Sequence, residues 1–186
     1  MQPMKTSPVG FRTPAAGFDD PVELWLACHE RVRRFCRMLE RLPLHLAAHG
    51  ADAAAQEAAQ SIRRYFNEAA PRHHADEEED LFPRLIAHAA PAQAQALQAT
   101  LAALEAEHAA NEERWRALDA ALAAVERGVA AAPDAATLAD FVRIYAAHIA
   151  TEESIVLDAL RASFTGEDWR AVGAAMARRR GARWQP

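Results

Sequence analysis

Long intervals of helical periodicity alternate along this chain with short breaks marked by Pro and Gly. After Asp19-Asp20-Pro21, inward positions recur at spacings of four and three: Trp25, His29, Val32, Cys36 and Leu39. That spacing keeps one face of a helix turned to a core. Pro21 in the first turn marks its start, and Pro43 and Gly50 mark its end. A second stripe runs through Ile62, Phe66, Ala69 or Ala70, His73, Glu77 and Leu81, in a helix predicted from about Ala53 to about Ala89. Pro71 and Pro83 lie inside it, and each removes a backbone donor, so bends are predicted there. A third helix opens at Pro91 and closes at Gly128, with Leu97, Leu101, Leu104, His108, Glu112 (or Asn111), Trp115, Leu118, Leu122 and Val125 inward. A fourth begins near Pro133-Asp134 and turns Leu138, Phe141, Tyr145, His148, Glu152, Ile155 or Val156, and Ala159 inward. A short fifth helix follows Thr165, with Asp168 three residues on in a capping-box arrangement. It ends in Arg178-Arg179-Arg180 before Gly181.

Four long helices with short connections predict an all-α, up-down-up-down four-helix bundle. Residues 1–20 form an extended N-terminal arm, with Phe11 and Phe18 available to pin it. Residues 21–163 form the bundle, and 164–186 a short C-terminal helix and tail packed on it. At 186 residues the chain has the size of one domain. Its wealth of Ala and scarcity of Gly favour helix over sheet. The net charge of −5 gives no general attraction to nucleic acid or an anionic membrane. All but Lys5 of the 21 basic residues are Arg, which is read as codon usage. No apolar run suits a signal peptide or a membrane span. Cys28 and Cys36 sit eight residues apart on one helix, about 12 Å along its axis, too far for a disulfide. Reduced thiols point to a cytoplasmic protein. Oligomeric state is left open.

The chemistry lies in the stripes. His73 and Glu77 are four residues apart, a rotation of about 400°, so they share a helix face. His148 and Glu152 repeat the pair, and the apolar Leu81-Phe82 is echoed by Val156-Leu157. His29 and His108 are the inward histidines of the other two helices. A helix pair thus looks duplicated, with a pseudo-twofold axis through the His cluster. Four imidazoles and two carboxylates left unpaired in a core would be costly, and two metal ions would remove that cost. Each ion would take two His nitrogens while Glu77 and Glu152 bridge the pair, with oxide or hydroxide as a further bridge. Such ligands suit iron, zinc or manganese.

Other polar residues take blander readings. His74 is rotated about 100° from His73 and faces a neighbour. Glu78 and Glu153 are alternative bridges if a helix slips by one residue. His45, His49 and His88 read as surface residues. Cys28, Cys36, Tyr65 and Tyr145 read as core, with Trp25 and Trp115 as walls of the site. The basic triplet reads as a solvated complement to a helix dipole.

His29, then His73 with Glu77, then His108, then His148 with Glu152, resembles the hemerythrin-like, HHE cation-binding domains. Leu81-Phe82-Pro83 and the ending Met176-Ala177-Arg178-Arg179-Arg180-Gly181 add to the likeness, which spans about residues 20–181. The resemblance implies a non-haem centre of two iron ions and a partner that is a small diatomic or peroxide: oxygen, nitric oxide or hydrogen peroxide. Sensing, peroxide defence or iron handling would follow, with a protein partner receiving any signal. A small redox enzyme, an iron donor for damaged iron–sulfur centres, and a bundle merely stapled by metal are the competing roles. One departure stands out. Oxygen-carrying members have a second His four residues after the first on the third helix, where this chain has Glu112. That disfavours reversible oxygen carriage and leaves Glu112 either an added ligand or a residue of the rim.

Overall fold

The computed structural model describes residues 17–184, all of whose regular structure is helical. Helix α1 is Pro21–His49; α2 spans residues 53–88; α3 is Pro91–Glu126; α4 spans residues 135–163; and α5 is Gly166–Arg179. Helices α1 to α4 pack in a ring, each against its sequence neighbours, with α4 closing on α1. No described helix is long and apolar enough to cross a membrane.

Local signals start and stop the helices as the sequence suggests, except that α1 runs on through Pro43 and stops only before Gly50. The side chains of Asp20, Asp52 and Asp134 accept hydrogen bonds from the free amides of Glu23, Ala55 and Thr137 at three N-termini, satisfying donors a helix leaves orphaned. Thr165 and Asp168 form the reciprocal capping box. Phe18 packs beside α5, where a Cβ on Gly173 would stand 2.2 Å from the Phe18 carbonyl oxygen. Glycine there is what lets the segment before α1 lie on α5. Phe11 falls outside the described residues.

Near the two prolines of α2 lie single π-helical turns, Tyr65–Ala69 and Glu77–Leu81, each ending shortly before one of them. A third π turn, Glu152–Val156, has no proline behind it. Two of the three therefore begin at the glutamates of the repeated pair, and such turns often mark functional sites. The extra residue in a π turn shifts the inward stripe. After Glu152 the core takes Val156, Leu157 and Leu160, while Ile155 is exposed and Ala159 only half-buried. This decides for Val156 over Ile155, while Ala159 still packs against the core.

Two apolar clusters sandwich a polar layer. One holds Val32, Leu39, Ile62, Phe66, Leu122 and Phe141; the other holds Trp25, Leu81, Phe82, Leu104, Leu160 and Met176. Truncating one such fully buried leucine to alanine costs about 2–5 kcal/mol. Between the clusters lie His29, His73, Glu77, His108, His148 and Glu152, all buried. Apolar cores on both sides fix this layer by the register of the flanking stripes.

Candidate metal centre

The six side chains singled out above converge. Ligand-type atoms of His29, His73, Glu77 and Glu152 lie within 4.8 Å of one another, as do those of Glu77, His108, His148 and Glu152. The glutamates belong to both groups, and their oxygens divide between them. Glu77 turns Oε1 to His73 Nε2 at 3.2 Å and Oε2 to His108 Nε2 at 3.4 Å. Glu152 turns Oε1 to His148 Nε2 at 3.3 Å and Oε2 to His29 Nε2 at 3.2 Å. Each carboxylate thus spans the two histidine pairs, the disposition a bridge between two cations requires.

The outward nitrogens decide the tautomers. Nδ1 of His29 lies 3.0 Å from Glu153, Nδ1 of His108 lies 2.6 Å from Glu78, and Nδ1 of His148 lies 3.0 Å from Glu107. An ionised carboxylate only accepts, so these Nδ1 atoms carry protons and aim the Nε2 lone pairs inward. There they meet other acceptors: His108 and His148 face each other Nε2 to Nε2 at 3.0 Å. His29 Nε2, Glu77 Oε2 and both Glu152 oxygens are buried without a hydrogen-bond partner. Such a cavity needs cations.

Without metal, protons fill that need. Burial by itself lowers a histidine's pKa, yet the Glu152 and Glu77 carboxylates override it at His29 and raise it to about 10. Glu152 likewise overrides burial at His148 and raises it to about 9. Burial pushes His108 down to about 2, helped by His74 and His148. Burial and the charge of Glu152 raise Glu77, whereas His148 and His29 hold Glu152 low against its own burial.

The residues around the cluster take definite places. Glu112 is exposed and pairs with Arg116 at 3.3 Å, while Asn111 is buried; Glu112 stands on a rim, away from the cluster. Glu78 and Glu153 are not bridges but partners of Nδ1 atoms. His74 stacks on His108, ring centroids 3.9 Å apart, and lies 3.3 Å from the Tyr145 hydroxyl. Trp25 donates from Nε1 to Glu77 Oε1 at 2.6 Å. The basic triplet is not simply solvated. Arg179 and Arg180 clamp the buried Asp76, Arg180 at 2.6 Å, and Arg179 also reaches Glu79 and Asp80. This clamp ties α5 to the residue before Glu77.

Glu107 and Asp76 were missed. The internal repeat held no signal for Glu107, because its counterpart in the other half is Cys28 rather than an acid. Asp76 carried none, since an Asp within an acidic run on a helix normally faces water.

A cleft of about 580 Å³ opens between α2 and α3 and reaches His74 and His108. It brings open space up to the His108 edge of this layer.

A buried layer of histidines and shared carboxylates inside a four-helix bundle is a cation-binding arrangement. The comparisons agree: the hemerythrin HHE cation-binding domain matches residues 20–160, and the chain belongs to that family. It is also 37% identical over 140 residues to an uncharacterized protein of Haemophilus influenzae, covering 75% of this chain and 78% of that one.

Proposed function

We propose that the protein holds a non-haem di-iron centre and binds or reacts with a small ligand such as oxygen, nitric oxide or peroxide. His29 and His73 would hold one ion, His108 and His148 the other, with Glu77 and Glu152 shared between them. The observation that supports this most strongly is the set of inward, partnerless lone pairs, with each carboxylate split between the two histidine pairs. Imidazole and carboxylate together suit iron, and zinc or manganese is the alternative loading. Iron, when bound, supplies one-electron redox chemistry and room for a small exogenous ligand.

The chain's own residues do the rest. Carboxylates on the Nδ1 atoms fix three imidazoles in the tautomer that presents Nε2. Trp25 holds Glu77 by a charge-assisted hydrogen bond. Leu81, Phe82 and Val156 close one side of the layer against water, so entry is by the cleft at His108. Glu112 in place of a fifth histidine, pointing away, favours sensing or reaction over reversible oxygen carriage.

The test is reconstitution with ferrous iron without air, followed by optical titration with nitric oxide, oxygen and peroxide. A saturable absorbance change with at least one, lost in Glu77→Ala, is expected. No change with any of them would refute the ligand-binding reading. Peroxide turnover over many cycles would favour the small redox enzyme. Loss of stability on chelation, without ligand response, would favour a metal that only staples the fold.

A further inference from the structure

The cleft is far larger than a diatomic gas or peroxide needs. At about 580 Å³ it falls in the range of organic-ligand sites, roughly 300–1,000 Å³, whereas a water takes about 30 Å³. Its walls and charges select a class of occupant. Phe66 and Trp115, with ring centroids 4.8 Å apart, and Tyr145 form an aromatic side. Glu78, Glu105, Glu112 and Arg116 share this lining, with Glu78 taken up by His108 Nδ1 and Glu112 by Arg116. Glu105 has no ion-pair or hydrogen-bond partner among the described residues. Asn111 lines the same cleft at 3% exposure, and its Oδ1 has no partner. A buried amide oxygen without a donor is a standing cost that a ligand N–H would remove. The terminal torsion of asparagine is soft enough to present that oxygen to the cleft.

We propose that this cleft binds an organic ammonium ion, a protonated amine on a compact aromatic body. Glu105 takes its charge, Asn111 accepts an N–H, and the body lies against Trp115 and Phe66. Aromatic faces and carboxylates are both attractive to ammonium groups and repel or ignore carboxylates. The contacts named here, Glu105, Asn111, Trp115 and Phe66, lie outside the histidine layer, although His108 of that layer lines the same cleft.

Calorimetric titration with tyramine and with 4-hydroxyphenylacetate, which share a ring and differ in charge, tests it on metal-free and iron-loaded protein. Tyramine should bind both forms and the acid neither. Glu105→Gln should weaken tyramine binding about tenfold and Asn111→Leu about fivefold, with metal content unchanged in both variants. Equal binding of the acid, no binding of tyramine, or unaltered binding in both variants would overturn the proposal. Metal content is read separately in the same samples, so failure here is distinct from failure of the di-iron reading.

Discussion

The His108/His148 half of the centre and the His29/His73 half share two glutamates but differ in what supports their histidines. In the first, both Nδ1 atoms have carboxylate partners, Glu78 and Glu107. In the second, Glu153 supports His29, but His73 Nδ1 is buried with none. The repeat explains which residue is missing. His29 corresponds to His108 and Glu153 to Glu78, so those two contacts are mates. The mate of the His148–Glu107 contact would join His73 to the residue before His29, and that residue is Cys28. A buried thiol whose pKa burial pushes up replaces an acid. The second half has gained something else: Trp25 on Glu77, and the arginine clamp on Asp76. In the repeat Asp76 corresponds to Thr151, whose hydroxyl only bonds back to Ala147 on its own helix. One half is thus oriented mostly by acids behind its ligands, the other by the fold around its backbone.

The largest expected effect comes from breaking that second kind of support. Asp76→Ala leaves two arginines facing an emptied buried site and should cost about 3–5 kcal/mol. Thr151→Ala should stay within about 0.5 kcal/mol. Urea unfolding of the metal-free proteins measures both, and equal losses would erase the distinction. Next is the first kind of support. Glu107→Cys, which makes the two halves alike, should weaken metal binding about 10–100-fold, whereas Cys28→Ala should leave it nearly unchanged; competition with a chelator reads each.

Protonation sharpens the comparison further, because each half carries one histidine with a raised pKa. In the metal-free protein His29 titrates at about 10 and His148 at about 9, so both are protonated at neutral pH. Metal must displace those protons. Apparent affinity should therefore rise with pH through 7 to 9 and fall on acidification, by up to about tenfold per proton per unit. Calorimetry in buffers of different ionisation enthalpy should show proton release at pH 7, and no release would contradict the assignment. The smallest effect belongs to Glu112→Ala, which should change stability by under about 0.5 kcal/mol and leave metal content alone. A loss of metal there would return Glu112 to the ligand set.

Much of this was legible in the sequence because helical periodicity and chemistry coincide. His29, His73, Glu77, His108, His148 and Glu152 each interrupt an apolar stripe, so the same spacing that predicts the helices predicts their convergence. The π turns were not legible in α4, where no proline marks the slip from Ile155 to Val156. In α2 the prolines stand near the irregular turns but did not announce that these would be π turns. Asn111 and Glu112 are adjacent, and the side each takes depends on a few tens of degrees of helix rotation that packing sets. Cross-helix partners such as Glu107 with His148, or Arg179 with Asp76, depend on how helices face each other, which one helix's periodicity does not contain.

The most direct test of the central claim is the metal content of the purified protein, by mass spectrometry, in wild type, His73→Ala and His148→Ala. Two ions per chain, predominantly iron, with loss from each half-site in its own variant, is the result predicted. A single ion, or none in any preparation while both variants keep wild-type stability, would contradict it.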